Sequence, residues 1–203
     1  MKPLLPARSL SLSLALAACC TLTYAAPAVQ GARVIPVNNG INTLKLQGQH
    51  AMAVRAWREN FNAHGFDVVT MYVQDGGAKP GAWNIVPVFD HDAVKPEHLE
   101  IVASGGADCM LRDFRLVSAA DGKSTSLVTA TRDMGDSYAD AAKVRFDYYV
   151  LTENDEGSAG HPRMYFEWKS SRTASRPYCD VNDAFRDELH LGPTSGQGGA
   201  GGE

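Results

Sequence analysis

The sequence lacks the motifs on which most hydrolases depend. Neither a Gly-x-Ser-x-Gly elbow nor a Ser-x-x-Lys motif occurs in its 203 residues. It has six histidines, but no two of them share a spacing typical of a metal site. They are His50, His64, His91, His98, His161 and His190. Because a hydrolase needs a nucleophile or a metal ion, we expect a protein that is not an enzyme and that carries no cofactor and no metal.

An excess of positive charge is also missing. Lys and Arg number 19 against 23 Asp and Glu, which gives a net charge of −4. Loss of Lys2 and Arg8 with an N-terminal export segment would make the charge more negative. Proteins that bind nucleic acid or anionic lipid through charge usually carry a basic surface. We therefore expect neither of these as the main partner.

No apolar run reaches the roughly 20 residues that a membrane-spanning helix needs, yet the N-terminus has the features of an export signal. Lys2 and Arg8 are followed by the short apolar segment Leu10–Leu16. Two cleavage positions fit. Thr-Tyr-Ala ending at Ala25 would release the protein, whereas Leu-Ala-Ala-Cys ending at Cys19 is a lipobox. The sequence thus predicts a periplasmic or secreted protein, in contact with a membrane only if Cys19 carries a lipid.

Cysteine is scarce outside the signal. Of four cysteines, Cys19 and Cys20 lie in the export segment, which leaves Cys109 and Cys179. A pair in an oxidising compartment predicts one disulfide, and closing a loop of this length stabilises by roughly 3–5 kcal/mol. The alternative, a catalytic thiol, would need a histidine and an activating environment.

Three segments follow from composition. Residues 1–25 are the signal, and residues 26–191 form one domain of roughly 165 residues, enough for a core of its own. Residues 192–203 are half glycine and have no large apolar side chain. Such a segment buries too little surface to offset its ordering entropy, so a flexible tail is expected.

Alternation of apolar and polar side chains predicts a mainly β domain. The predicted strands are Ala32–Val37, Ile41–Leu46, Ala51–Trp57, Phe66–Gln74, Trp83–Phe89, Cys109–Val117, Leu127–Thr131, Val144–Thr152 and Arg163–Lys169. Asp180 is expected to cap a short helix that runs to about His190, and residues 136–142 are expected to form another turn or two. Regularly spaced short strands favour an antiparallel β-sandwich or barrel.

The connection between the third and fourth predicted strands is unusually polar. Its candidate ligand-binding side chains are Arg58, Asn60, Asn62 and His64. In one interpretation Arg58 holds a carboxylate through two hydrogen bonds while His64 changes protonation. In the other, the Asn and His side chains bind the local backbone and order the turn. The sequence leaves both open.

Three features together resemble the CarG-like carbapenem self-resistance proteins. They are the Asn-x-Asn-x-His motif within Arg58–Asp67, the strand Val68–Val73, and the pair Cys109 and Cys179. The resemblance implies a small periplasmic protein, an antiparallel β-sandwich with short helices near the ends, and assembly as a homodimer. It also implies distant structural kinship with inhibitors of invertebrate-type lysozyme.

The sequence differs from these relatives at two places. Asn42–His50 carries Lys, Gln and His where the family tends to carry acidic residues that hold a cation. The lysozyme inhibitors present a Ser-Gly loop with a nearby Tyr, whereas Ser104–Gly105 here precede Gly, Ala and Asp. Neither a bound cation nor inhibition through that loop follows from the resemblance alone.

Our leading hypothesis is a non-enzymatic periplasmic protein that protects the cell envelope. It would either bind a carbapenem or other β-lactam, or shield the antibiotic's target in the envelope. Arg58 would pair with the ligand's carboxylate, supported by Asn60, Asn62 and His64. The alternative is an inhibitor of a secreted lysozyme or other cell-wall hydrolase, acting through a protein–protein interface. A structural module of the envelope is a third interpretation.

Overall fold

The structure, a computed structural model, describes residues 32–77, 80–91 and 96–194. Within these ranges it contains twelve strands and one helix. They are β1 Arg33–Ile35, β2 Gly40–Leu46, β3 Gln49–Arg58, β4 Phe66–Gln74, β5 Trp83–Ile85, β6 Val88–Phe89, β7 Glu97–His98, β8 Ile101–Gly105, β9 Met110–Ser118, β10 Thr125–Arg132, β11 Val144–Glu153, β12 Met164–Thr173 and α1 Val181–Leu189. The predicted export signal lies outside the described residues. None of the described helical residues forms a segment long and apolar enough to cross a membrane.

One continuous sheet runs through the domain in the order β2-β3-β4-β8-β9-β10-β11-β12-β6-β7. In addition, β1 pairs with β9 and β5 pairs with β4. All strand pairs are antiparallel except β6 with β12. Short connections between consecutive strands explain this pattern, since antiparallel neighbours need only a tight turn.

The two halves of the sheet face each other across the main core. Ala53 and Val69 come from one half, and Phe114, Leu127 and Phe166 from the other, all fully buried in one cluster. Burying a valine, leucine or phenylalanine side chain contributes about 1.5–3 kcal/mol. The prediction of a mainly β fold with largely antiparallel strand pairing is confirmed, and the strands form one continuous sheet.

The predicted strand Trp83–Phe89 is divided in two because its halves pair with different strands, β5 with β4 and β6 with β12. The backbone N–H of Val86 donates to the carbonyl of Met71 on β4 at 2.8 Å. Pro87 has no N–H, but its carbonyl accepts from Phe166 on β12, also at 2.8 Å. The segment therefore leaves β4 and joins β12.

Helix α1 covers the outer side of β9, β10 and β11. Asp180 caps its first turn by accepting from the N–H of Asn182 at 2.7 Å, as predicted. His190, with φ of +55°, ends it in the left-handed conformation. Val181 and Phe185 are fully buried in a second apolar cluster against the sheet. This cluster gives β9, β10 and β11 two buried faces.

Residues 136–142 are not helical, contrary to prediction. The guanidinium of Arg132 collects the carbonyl oxygens of Ser137, Tyr138 and Asp140. Carbonyls that converge on one point cannot align along a helix axis, so the segment is an irregular turn. Two strands were also missed. β7 has two residues, and β8 ends in small residues that resembled a loop in the sequence.

Residues 192–194, which follow the predicted domain end at residue 191, contact the domain. The carbonyl of Gly192 accepts from Arg115 Nε at 2.5 Å, and that of Thr194 accepts from the N–H of Val37 at 2.8 Å. Thr194 is 2 % exposed, and its hydroxyl donates to the carbonyl of Phe114 at 2.5 Å. These backbone contacts fix the start of the glycine-rich segment, and its remainder lies outside the described residues.

Candidate functional site

The predicted ligand-binding residues lie on the hairpin loop between β3 and β4. Asn60 Nδ2 donates to the carbonyl of His64 at 2.7 Å, and Asn62 Oδ1 accepts from the N–H of His64 at 2.8 Å. Both amides therefore hold the backbone of the loop. This geometry matches the interpretation in which the Asn side chains order the turn.

Arg58 and His64 lie at the base of the same loop and are exposed. Arg58 Nη1 donates to the carbonyl of Glu59 at 3.1 Å, and its Cζ lies 5.7 Å from the ring centroid of Phe66. The His64 ring packs against Tyr138, with 4.7 Å between ring centroids. The structure thus brings the four predicted residues into one loop, and they line neither the cavity described below nor a second one beside Gln49 and Arg163.

Glu59, which the sequence did not single out, organises the loop. Its Oε2 accepts from Trp57 Nε1 at 3.1 Å, and its Oε1 accepts from the N–H of Phe61 at 2.5 Å. These two hydrogen bonds hold the pKa of the Glu59 carboxyl below its usual range. Phe61 stands at the tip with φ of +55° and is 97 % exposed.

The disulfide predicted from the sequence is present. Cys109 and Cys179 are bonded with 5.7 Å between their Cα atoms. Cys179 precedes the capping residue Asp180, whose Oδ2 also accepts from the N–H of Met110 at 3.2 Å. The start of helix α1 is therefore joined to the start of β9 by a covalent bond and by a hydrogen bond.

Beside the disulfide, a second loop folds around the buried guanidinium of Arg132. Arg132 is 4 % exposed, and its guanidinium donates only to backbone carbonyls among its hydrogen bonds to oxygen within the described residues. The acceptors are the carbonyls of Asp133, Met134, Ser137, Tyr138, Asp140 and Cys179. Carbonyl dipoles thus stabilise the charge where a carboxylate would normally do so.

A cavity that the sequence did not reveal opens where the inner face of the sheet changes from apolar to polar. The register of β10 with its neighbours places Thr131 opposite Arg112 on β9 and opposite Arg145 on β11. One step further in, Thr129 lies opposite Asp147. Directly opposed residues point to the same face of a sheet, so these side chains share one opening.

The cavity has a volume of about 320 Å³, at the lower end of the range for small-ligand pockets. Its walls come from β6 to β11, and it carries acidic and basic groups together. The charged side chains that line it are Asp90, Glu100, Arg112, Asp113, Arg145 and Asp147, with His98 beside them. A mixed set of this kind can bind a ligand only through groups that are not already paired.

Most of the acids in the cavity are paired within the protein. Asp147, 7 % exposed, accepts from Arg145 Nε at 2.9 Å and also from the hydroxyl of Ser171. Asp90 accepts from the hydroxyl of Tyr149 at 2.5 Å and lies 3.4 Å from His98 Nε2. Burial, and then Asp90, raise the pKa of Tyr149, which keeps its hydroxyl protonated as a donor.

Two charged groups of the cavity have no partner among the described residues. Across residues 32–77, 80–91 and 96–194, neither Arg112 nor Glu100 makes a side-chain hydrogen bond or ion pair. Asp113 is satisfied elsewhere, by Arg115 Nη1 at 2.7 Å. A guanidinium without an acceptor at the mouth of a cavity can pair bidentately with a carboxylate. Within the same described ranges, no group of three His, Cys, Asp or Glu side chains could hold a metal ion.

Comparison with known proteins gives a family and a fold. A family model described as carbapenem resistance protein CarG-like matches residues 37–187. A crystal structure of CarG matches with a TM-score of 0.62 and 23 % sequence identity, over 76 % of this chain and 94 % of that chain. No curated protein matches significantly. The structural match shows a shared fold, and the family model covers most of the chain. The chain therefore belongs to the CarG-like carbapenem resistance family.

Proposed function

We propose that the protein protects the cell envelope against carbapenems without breaking them down, and that it acts in the periplasm. Its membership of a carbapenem resistance family carries this proposal and supports a role outside the cytoplasm. The export signal predicted for residues 1–25 and the disulfide between Cys109 and Cys179 agree with an oxidising compartment. Lipid attachment at Cys19 and assembly as a homodimer remain proposals of the same kind.

The proposed mode of action is reversible binding of the antibiotic in the polar cavity. A β-lactam antibiotic of this class carries a carboxylate, and Arg112 offers it a guanidinium that has no partner in the described part of the chain. The hydroxyls of Thr129 and Thr131 line the same opening and can supply further hydrogen bonds. Arg58, the arginine favoured by the sequence, lies outside the cavity. We therefore assign the carboxylate to Arg112.

Calorimetry of the mature protein with a carbapenem tests this mode of action. We expect binding heat for the wild type, at least tenfold weaker binding for Arg112→Ala, since a charge-assisted pair contributes about 1.5–3 kcal/mol, and unchanged binding for Arg58→Ala. Glu100→Gln is the matched control, because it removes a charge of the opposite sign from the same cavity and leaves the Arg112 guanidinium in place. The absence of binding heat in the wild type would exclude antibiotic capture.

Susceptibility of cells with and without the gene tests protection itself. Loss of the gene is expected to increase carbapenem susceptibility, and a complementing copy to restore resistance. If protection depends on the gene while the purified protein binds no carbapenem, the protein shields a target. If deletion leaves susceptibility unchanged, the proposed function is wrong.

Inhibition of a secreted cell-wall hydrolase is the second candidate. The turn beside Ser104–Gly105 is held by a hydrogen bond from the N–H of Gly106 to the carbonyl of Cys109 at 3.0 Å, next to the disulfide. A turn fixed in this way suits insertion into a cleft, because its order is established before binding. A lysozyme assay at micromolar protein decides this candidate, which is wrong if the enzyme keeps full activity.

A further inference from the structure

We propose that the hairpin loop of residues 59–65 is a docking site for a folded protein, with Phe61 as the side chain that enters an apolar pocket on the partner. This inference goes beyond the proposed function, because it requires no antibiotic. It starts from the exposure of Phe61. A phenyl ring that is 97 % exposed gains nothing in the isolated protein, whereas buried aromatic side chains are common anchors of protein interfaces.

Hydrogen bonds within the loop hold the backbone at Phe61 in an unfavourable conformation. A left-handed conformation costs a residue other than glycine about 1–2 kcal/mol, and Phe61 adopts it with φ of +55°. The carboxylate of Glu59 compensates by binding the N–H of Phe61 and Trp57 Nε1 at the same time. Such conformations persist only where the surroundings determine them, and they concentrate at functional sites.

The base of the loop is braced on both sides. The Trp57 ring covers Gly65 so closely that a Cβ at this position would lie 2.2 Å from Trp57 Cζ2. On the other side, His64 packs against Tyr138, which in turn lies 3.1 Å from the position of a Cβ on Gly106. A loop that is rigid before binding loses little entropy when it docks. Rigidity and exposure together indicate presentation of the ring to a preformed pocket.

The charges beside the loop define the partner. Arg58 flanks it on one side and is exposed. Exposed Asp133, Asp136 and Asp140 lie on the neighbouring turn that carries Tyr138. The partner is therefore a protein whose apolar pocket has acidic residues facing Arg58 and basic residues facing the aspartates. An anionic lipid surface would repel those aspartates, which argues against insertion of the loop into a membrane.

Photo-crosslinking in living cells tests the docking site. A photoreactive p-benzoylphenylalanine is placed at position 61 of the full chain, and a matched control carries it at position 41. Ile41 is suited to this purpose because it is 75 % exposed on β2, opposite Val54 and outside the loop. We expect one discrete adduct from position 61 and none from position 41. Arg58→Glu, introduced together with the probe, is expected to reduce the adduct at least about fivefold, since like charges face each other across the interface.

Three outcomes would overturn the proposal. The first is no adduct, or an adduct that Arg58→Glu leaves unchanged. The second is an adduct of twice the chain mass, which would identify a second copy of this protein. The third is binding of the purified protein to phosphatidylethanolamine–phosphatidylglycerol vesicles that is lost in Phe61→Ser. Thermal unfolding of every variant is measured alongside. If a variant unfolds earlier than the wild type, a competition experiment replaces it, in which excess Phe61→Ser protein without the probe is expected to leave the position-61 adduct undiminished. Crosslinking needs no carbapenem, so its failure is distinguishable from failure of the proposed function.

Discussion

The guanidinium of Arg115 lies over the ring of Phe185, with Cζ 4.2 Å from the ring centroid. Arg115 is on β9 and Phe185 is on α1, so this contact joins the sheet to the helix. The same guanidinium donates to Asn182 Oδ1 at 2.6 Å and to Asp113 Oδ2 at 2.7 Å. With Nε bound to the carbonyl of Gly192, one buried arginine fixes the sheet, the helix and the C-terminal segment.

Arg115→Ala is expected to lower the free energy of unfolding by about 3–5 kcal/mol, because it leaves the nearly buried carboxylate of Asp113 without its partner. Urea unfolding monitored by circular dichroism gives this value. Arg163→Ala is the control, since Arg163 is 47 % exposed and lies 3.5 Å from Asp75. A surface pair whose arginine is half exposed is worth about 0–1 kcal/mol. Equal losses in the two variants would contradict the central role of Arg115.

Loss of the disulfide is expected to lower stability by about 2–5 kcal/mol, because the bond closes a loop across a sequence separation of 70 residues. Comparison of the wild type with the Cys109→Ser/Cys179→Ser double variant measures the effect. Dithiothreitol provides the internal control. It is expected to destabilise the wild type and to leave the double variant unchanged, and a response of the double variant would point to a different cause.

Gly65→Ala is expected to cost about 1–3 kcal/mol, as overpacking does, because its Cβ would displace the Trp57 ring. The cost is expected to fall when Trp57→Ala is present as well, which a double-mutant cycle of unfolding free energies would show. Gly76→Ala is the matched control. Nothing lies within 4 Å of a Cβ there and its φ is not positive, so its effect is expected within about 0.5 kcal/mol.

Glu188 is expected to make stability depend on pH in the acid range. Burial acts to raise the pKa of its carboxyl, but hydrogen bonds from Ser175 and Tyr178 and the charge of Arg172 outweigh it, and the pKa lies below the ordinary 4.5. The unfolded chain therefore binds its proton at higher pH than the folded protein does. The stabilisation is complete above pH 4.5 and declines as the pH falls through the lower, folded-state pKa.

Glu188→Gln reports on this linkage. The stability difference between the wild type and Glu188→Gln is expected to be largest above the ordinary carboxyl pKa of 4.5 and to shrink as the solution becomes more acidic. Unfolding free energies measured between neutral and acid pH give the profile. A difference that is constant across this range would mean that Glu188 is not the titrating group.

The fold could be predicted from the sequence wherever side-chain alternation reports burial directly. Phe66–Gln74 alternates cleanly and forms β4 with the predicted bounds, and Asp180 caps α1 as expected. Alternation fails where a segment is too short to show it, as in β7, or where its side chains are too small, as at the end of β8. It failed also at Pro87, because the chain there changes strand partners in a way that no local pattern records.

The candidate site could be predicted only in part, for a different physical reason. The polar loop was visible as residue types, but types do not show which atoms their hydrogen bonds engage. Asn60 and Asn62 fitted both a ligand and the local backbone, and the backbone is what they bind. The cavity depends on strand registration, which places Arg112 and Arg145 beside Thr131. Long-range pairing of that kind cannot be read from sequence spacing.

The carbonyl cage around Arg132 has a consequence for how this surface behaves in different solutions. Loops with many inward carbonyls often require a bound metal ion, and their shape then varies with the supply of that ion. Here the cation is part of the chain, so neither dialysis nor a chelator can remove it. The turn that carries Tyr138, and with it one brace of the Phe61 loop, is expected to keep its shape in calcium-free and calcium-rich media alike.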